Sequence, residues 1–164
     1  MTERNITSLV PYRSDILVRV QDAIDITGRL LTERAEEYFQ MGKMKYDQKD
    51  YYGALDSYSR AIELNPAYTD AFLCRGITRN DLNDFGGAIS DFDKVISLNP
   101  VYADAYLNRG ITKHDIRDYS GADNDYGRAI ELNPDYAVAF YNRGLVKRAL
   151  ENYREAIEEY NKAH

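Results

Sequence analysis

Cysteine, tryptophan and histidine are scarce in this sequence of 164 residues. Cys74 is the single cysteine, so no disulfide can form within the chain and the paired-cysteine motifs of zinc sites are absent. The two histidines, His114 and His164, form no recognisable metal-ligand spacing with it. We therefore predict no metal, no cofactor and a protein suited to a reducing compartment.

Long apolar stretches are also missing. No run approaches the roughly 20 apolar residues that span a bilayer. Residues 1–12 contain Glu3 and Arg4 and lack the apolar core of a secretory signal. We expect a cytoplasmic protein with no membrane-spanning segment, in which the sequon at Asn5 is not glycosylated.

Positive charge is in deficit, with 21 Lys and Arg against 27 Asp and Glu and a net charge of −6. A general nucleic-acid-binding surface needs a basic stripe that displaces counterions from phosphates, so nucleic acid is not an expected partner. The Gly86-Gly87 pair is not followed by the Lys and Ser or Thr of a phosphate-binding loop. Since no catalytic arrangement emerges, we predict that the chain is not an enzyme.

What the sequence does contain is a period of 34 residues. The classes that recur at this interval are a glycine (Gly42, Gly76, Gly110, Gly144), an alanine (Ala54, Ala88, Ala122, Ala156), an aromatic residue (Tyr58, Phe92, Tyr126, Tyr160) and an Asn-Pro pair ending at Pro66, Pro100 and Pro134. A fixed period of this length is typical of a solenoid. Apolar residues at three- and four-residue spacing predict two helices per period, and proline ends the second because it lacks an amide hydrogen.

These residues resemble the tetratricopeptide repeat family. The family pattern of aromatic, glycine, alanine, aromatic, alanine and proline is met by Tyr38, Gly42, Ala54, Tyr58, Ala61 and Pro66. The second copy departs only at Val95, the third is complete, and the fourth runs to Ala163. The resemblance implies an all-α, right-handed α-solenoid of four helix-turn-helix repeats, at residues 35–68, 69–102, 103–136 and 137–164.

Both ends of the array carry apolar surface. Residues 1–12 are expected to be a flexible tail. Residues 13–31 predict an amphipathic N-terminal helix behind a Ser14-Asp15 cap, with Gly28 as a break before the first repeat. This helix either caps the first hairpin or docks elsewhere, in the groove or on a neighbouring molecule. The last hairpin directs Ile157 and Tyr160 to where another repeat would stack, so that face is covered by a longer array or by self-association.

The resemblance also implies that the first helix of each repeat lines a concave groove for a peptide or protein segment. Candidate lining residues are Lys43, Asp47, Leu73, Ile77, Asn80, Asp81, Leu107, Asn108, Ile111, His114, Asp115, Tyr141, Asn142 and Leu145. Asn108 and Asn142 match groove asparagines that can bond the backbone of an extended peptide. We therefore predict a protein–protein interaction scaffold. The alternative is a self-association module that forms a homo-oligomer by stacking through its terminal helices.

The charges of the groove suggest what the partner is. Asp47, Asp81 and Asp115 are predicted near helix C-termini, where an acid opposes the helix dipole by roughly 0.3–1 kcal/mol. Because an acid occupies this unfavourable position in three repeats, we hypothesise that these acids bind a partner segment with basic character. Chaperone-binding relatives grip a C-terminal carboxylate through a clamp of Lys, Asn and Lys or Arg. Only Asn108 fits that clamp here, so a chaperone tail is not an expected ligand.

A set of basic residues is predicted to be structural. Each of Arg75, Arg109 and Arg143 is followed 16 residues later by an acid, namely Asp91, Asp125 and Glu159. In the first repeat Met41 and Ser57 replace both partners, which favours ion pairs within the hairpins over a ligand track. In the third repeat, Asp123 and Asn124 lie between Gly121 and Gly127, so its second helix is predicted to be the least stable part of the array.

Overall fold

A computed structural model describes the backbone of residues 10–163 and the side chains of residues 15–163. Within that range the chain forms eight helices and no strand, which confirms the all-α class. The helices are α1 (Val10–Asp47), α2 (Tyr51–Leu64), α3 (Thr69–Asp81), α4 (Phe85–Leu98), α5 (Ala103–Asp115), α6 (Tyr119–Leu132), α7 (Ala137–Ala149) and α8 (Tyr153–Lys162). Of the predicted tail, residues 1–9 lie outside the described residues and residues 10–12 begin α1.

The turn inside each hairpin contains a residue with positive φ, and an aspartate caps the second helix in the first three hairpins. In the fourth, the Asn152 side chain makes no such cap bond. Asn83 has φ 60° after α3, and the Asp84 side chain accepts a hydrogen bond from the Gly87 amide at 3.0 Å. Lys49 and Arg117 repeat the positive φ before the caps Asp50 and Asp118. The left-handed residue ends the first helix and the cap satisfies an unpaired amide of the second.

The Asn-Pro pairs end the second helices, as predicted. Asn65, Asn99 and Asn133 have extended backbones at the C-caps of α2, α4 and α6. Proline disfavours the helical conformation of the preceding residue, which explains why the helices end there. The chain then turns back and starts the first helix of the next repeat.

The recurrent glycines allow the two helices of a hairpin to approach each other closely. A Cβ added to Gly110 would lie 2.7 Å from a ring carbon of Tyr126, and one added to Gly42 would lie 2.5 Å from Tyr58. Such distances are too short for a real Cβ, so only glycine fits against the buried ring. Tyr58 and Tyr126 are 2% and 1% exposed.

The hairpins stack into a single array in which the first helices form the inner layer. Helix α3 contacts both α1 and α5, and α5 contacts α7. Among the described residues, the second helices α2, α4, α6 and α8 make no contacts with one another. The array is therefore narrower on the side of α1, α3, α5 and α7, which makes that side the concave face.

The N-terminal helix differs from the prediction of a separate capping helix. Helix α1 runs through Gly28 without a break and contains both the predicted 13–31 segment and the first helix of repeat one. Side chains 15–34, here called the N-terminal arm, are all exposed and cap nothing in this molecule. Glycine costs only about 1 kcal/mol inside a helix, and no proline interrupts the chain between residues 12 and 65.

Candidate functional site

Two of the three charge pairs predicted within the hairpins form there. Arg75 donates to both carboxylate oxygens of Asp91 at 2.9 and 2.7 Å, and Arg109 does the same to Asp125 at 2.9 and 2.6 Å. The side chains of Asp91 and Asp125 are 3% and 6% exposed. These buried bidentate pairs join the two helices of a hairpin, so Arg75 and Arg109 are engaged within the array.

The fourth hairpin departs from this arrangement. Arg143 donates to Asp123 of the preceding repeat at 2.9 Å and lies only 3.8 Å from Glu159. Lys147 also donates to Asp123, at 3.0 Å. Burial by itself would raise the pKa of the Asp123 carboxyl, but the hydrogen bonds from the two bases lower it overall. Asp123 is therefore ionised and links the third repeat to the fourth.

The concave face is rich in exposed acids. Those on its first helices are Glu36, Asp47, Asp70, Asp81, Asp104 and Asp115, and all six are exposed. The exposed bases among the lining positions are Lys43 and Arg148. Lys43 lies at one end of this surface, 5.7 Å from the ring centroid of Phe39. The middle of the face thus carries negative charge with no basic side chain among its predicted lining residues.

Three tyrosines that sequence analysis did not single out orient some of these acids. Tyr102 donates to Asp70 at 2.9 Å, Tyr136 donates to Asp104 at 2.5 Å, and Tyr68 donates to Glu36. Each tyrosine precedes the first helix of a repeat and bonds the acid of the repeat before it. The signal was present in the sequence, because Tyr68, Tyr102 and Tyr136 also recur at 34 residues.

Two of the acids at helix C-termini are also oriented across repeats. Asp81 accepts a hydrogen bond from Tyr46 at 2.6 Å, and Asp115 accepts one from Asn80 at 3.4 Å. Burial, followed by the bond to Asp81, raises the pKa of the Tyr46 phenol well above its usual value. These contacts give Asp81 and Asp115 a role in joining repeats, while both carboxylates stay exposed to a ligand.

The predicted apolar lining is divided between core and surface. Leu73 and Leu107 are 9% and 6% exposed and belong to the hydrophobic cores between hairpins, so a ligand reaches little of them. Ile77, Ile111 and Leu145 are half-buried, and Tyr141 is 53% exposed. Leucine at a lining position therefore packs against the next repeat wherever that repeat is present.

The polar residues predicted to bond a peptide are placed as follows. Asn108 donates to the Asp104 carbonyl at 2.7 Å, so its amide nitrogen already has an acceptor within its own helix. Asn142 is half-buried in the corresponding position of α7. His114 lies 3.7 Å from Asp115 through Nδ1 and packs against the ring of Tyr119, with centroids 5.6 Å apart.

An apolar pocket lies between α7 and α8 at the end of the array. The pocket, here called the terminal pocket, holds about 420 Å³ and is lined by Ala137, Val138, Tyr141, Leu145, Arg148, Tyr160 and Ala163. The Tyr160 hydroxyl is buried there without a hydrogen-bond partner among the described residues. Apart from the tyrosine hydroxyls and Arg148, the side chains that line the terminal pocket are apolar, and Arg148 is the one basic side chain among the lining residues that the structure describes.

Other kinds of site are not found in the described part of the chain. Residues 10–163 contain no group of three or more His, Cys, Asp or Glu side chains placed to hold a metal ion. No helix in the same range is long and apolar enough to cross a bilayer.

Comparison with known proteins agrees with the geometry. A family model described as TPR repeat matches residues 42–79, and one described as Tetratricopeptide repeat matches residues 115–164. A crystal structure of MamA is 30% identical, with a TM-score of 0.74, over 80% of this chain and 72% of that one. The first TPR of RPAP3, solved with the HSP90 peptide SRMEEVD, is 26% identical over 73% of this chain and 95% of that one, with a TM-score of 0.71.

One enzyme shares a short stretch of sequence. A UDP-N-acetylglucosamine–peptide N-acetylglucosaminyltransferase from Giardia intestinalis is 41% identical over 49 residues. These residues make up 30% of this chain and only 3% of the enzyme. The similarity therefore concerns a small part of that protein.

Proposed function

Because this chain belongs to the tetratricopeptide repeat family, we propose that it binds a basic protein or peptide segment on its concave face. Proteins built from these repeats generally act as non-enzymatic scaffolds for protein–protein interaction. In this protein the segment would be held by α1, α3, α5 and α7, whose exposed side chains form the concave face.

The observation that carries this proposal is the row of exposed acids on the inner layer. Asp70 and Asp104 lie on equivalent positions of successive repeats, as do Asp81 and Asp115. Each of these four carboxylates accepts a hydrogen bond from a neighbouring repeat, which fixes its position before a ligand arrives. Fixed charges of one sign on a concave surface attract and orient a ligand of the opposite sign.

The RPAP3 domain offers a contrast in charge. The peptide in that structure, SRMEEVD, has three acids among its last four residues. Here the positions matched to the carboxylate clamp lack its basic residues, and Asp104 occupies one of them. An acidic peptide would therefore meet like charge, whereas a basic peptide would gain several favourable contacts, each worth about 0.2–1 kcal/mol if exposed.

A set of fluorescent peptides of equal length tests this proposal. One peptide is basic, one is a neutral version with each Lys replaced by Gln, and one is SRMEEVD. We expect anisotropy titrations to rank them basic, neutral, acidic, with an affinity for the basic peptide that falls as salt is added. Equal affinity for the three peptides, or tighter binding of SRMEEVD, would contradict the proposal.

Self-association through the terminal hairpin is a second candidate function. It is favoured by the terminal pocket, where Val138 and Tyr141 are 52% and 53% exposed. The equivalent position to Tyr141 in repeat three is Leu107, which the next hairpin covers to 6% exposure. Light scattering over a concentration series tests it, because a mass that stays monomeric would exclude this function for the chain.

A further inference from the structure

The N-terminal arm is a helix whose apolar side chains have no partner in this molecule. Val20, Ile24 and Leu30 are 50%, 58% and 60% exposed. Residues 15–34 extend about 30 Å along α1 at 1.5 Å per residue. Apolar side chains exposed along such a length are typical of an interaction surface.

The sequence of the arm resembles that of the first helices of the repeats. Asp22-Ala23 is followed by Gly28, five residues after the alanine. The same spacing occurs in Asp70-Ala71 with Gly76 and in Asp104-Ala105 with Gly110. Ala71 and Ala105 are fully buried against the preceding hairpin, whereas Ala23 is exposed. Ala23 thus has the position of the small residue that packs between hairpins, whereas Gly28 has the position of the glycine that faces the second helix of its own hairpin.

The terminal pocket is the surface against which such a helix packs elsewhere in the array. In repeat three the equivalent surface, with Leu107, Tyr126 and Ala129, is covered by α7 through Ala139. Tyr141, Tyr160 and Ala163 present the same surface on the fourth hairpin. A first helix aligned through Ala23 would place that alanine where Ala139 lies in the preceding interface.

In this alignment, apolar residues replace both partners of a hydrogen bond that joins neighbouring repeats elsewhere in the array. A tyrosine three residues before the alanine bonds an acid of the preceding first helix, as Tyr102 bonds Asp70 and Tyr136 bonds Asp104. In the arm the tyrosine position is Val20, and in α7 the acid position is Val138. Both partners have therefore become apolar, and Val138 lines the terminal pocket.

In the same alignment, a second hydrogen bond between repeats is replaced by an ion pair. Tyr46 bonds Asp81 and Asn80 bonds Asp115, each acid lying ten residues after the aligned alanine. The position of Tyr46 and Asn80 is occupied in α7 by Arg148, and the position of the acids is occupied in the arm by Glu33. Arg148 and Glu33 thus have complementary charges in the place where neighbouring repeats are already joined.

We propose that residues 20–33 of one molecule pack into the terminal pocket of a second copy as the first helix of a further repeat would. This inference rests on the self-association function proposed above and names the segment that makes the contact. The two surfaces differ, so the contact is head-to-tail, and each added molecule presents a new arm and a new pocket. Because both are exposed in every molecule, self-association produces oligomers of increasing size with concentration.

Variants on the arm test which surface is used. Val20→Glu with Ala23→Glu puts charge on the face that enters the terminal pocket. Val18→Glu is the matched control, since Val18 is 58% exposed on the same arm and lies about 200° around the helix from Val20. In sedimentation velocity experiments over a concentration series, we expect wild type and the control to form oligomers and the double variant to remain monomeric.

A charge exchange tests the orientation of the contact. Glu33→Arg alone and Arg148→Glu alone each bring like charges together, and we expect each to weaken self-association roughly two- to tenfold. An equal mixture of the two variants should recover it, because every arm can then meet a terminal pocket of opposite charge. Each variant alone, at the same total protein concentration, is the control.

The contrary results are distinguishable. A wild type that remains monomeric overturns both this inference and the self-association function. If Tyr141→Glu abolishes oligomers but the arm variants do not, self-association stands and the arm is not its partner. If mixing restores nothing, the alignment through Ala23 is wrong. None of these outcomes bears on peptide binding by the acids of the concave face.

Discussion

Arg143 donates a hydrogen bond to Asp123 of the preceding repeat at 2.9 Å, although Glu159 of its own hairpin lies 3.8 Å away. In the two hairpins before it, the corresponding arginines bond the acid of their own hairpin. Asp123 lies where other repeats have Leu55, Ile89 and Ile157, so an acid at an apolar position has redirected the ion pairs.

Removing the charge of Asp123 should destabilise the array. In Asp123→Asn, Arg143 and Lys147 lose their shared acid while 28% and 13% exposed, and we expect a loss of about 1–2 kcal/mol in the free energy of unfolding. Asp123→Leu restores the apolar residue of the other repeats and should lose less. Urea denaturation of the three proteins measures this, and an Asn variant as stable as wild type would refute the role of Asp123.

The glycine of the third hairpin should not tolerate a methyl group. Gly110→Ala places a Cβ 2.7 Å from the ring of Tyr126, which is 1% exposed and cannot move away freely. We expect a loss of about 1–3 kcal/mol. Gly86→Ala is the control, because nothing lies within 4 Å of its added Cβ and alanine favours the helix. Thermal unfolding of both variants measures the difference, and similar melting temperatures would show that the close packing is not required.

The phenol of Tyr102 should lose its proton at a higher pH than a tyrosine in the unfolded chain. Burial, followed by the hydrogen bond to Asp70, raises its pKa to about 12, above the value near 10 of an unfolded tyrosine. The contribution of the neutral phenol to stability is therefore complete below pH 10 and is lost as the pH rises through about 12.

Carbon NMR shifts of labelled tyrosine rings, assigned with Tyr102→Phe, measure this titration. In Asp70→Asn we expect the pKa of Tyr102 to fall towards the ordinary value, because the acceptor charge is gone while burial remains. An unchanged pKa in that variant would show that the hydrogen bond contributes nothing to the shift.

The second helix of repeat three should be the least protected of the hairpin helices α2–α7. Helix α6 has Gly127 in its interior, whereas both glycines of α4, Gly86 and Gly87, lie in its first turn, and an interior glycine lowers helix stability by about 1 kcal/mol. Hydrogen exchange with mass spectrometry should show α6 exchanging faster than α2, which has one glycine. Protection of α6 equal to that of the other helices would refute this prediction.

The sequence was sufficient to predict the hairpins because their determinants are local and repeated. A glycine facing an aromatic ring and an Asn-Pro pair after each second helix act in the same way in every copy, and the arginine–acid pairs were found where predicted in two hairpins. The cytoplasmic location and the groove residues stay predictions.

Contacts between repeats were harder to predict. Leu107 was predicted to line the groove and is core, because coverage by the next hairpin depends on packing that a single period does not show. The break at Gly28 was wrong, since one glycine does not outweigh a continuous helical hydrogen-bond pattern. Tyr102 and Asp70 are 32 residues apart, so their bond is visible only once neighbouring repeats are aligned.

Two double charge reversals, one on the concave face and one on the second helices, test whether the acids of the concave face bind the basic segment. Asp81→Lys with Asp115→Lys reverses two acids of the inner layer. Glu63→Lys with Glu131→Lys, at equivalent exposed positions of α2 and α6, changes the net charge by the same amount on the second helices. Titration of the basic peptide by anisotropy then compares both variants with wild type. We expect roughly tenfold weaker binding in the first variant and little change in the second. Equal affinity in the two variants would contradict the assignment of the concave face as the binding surface for a basic segment.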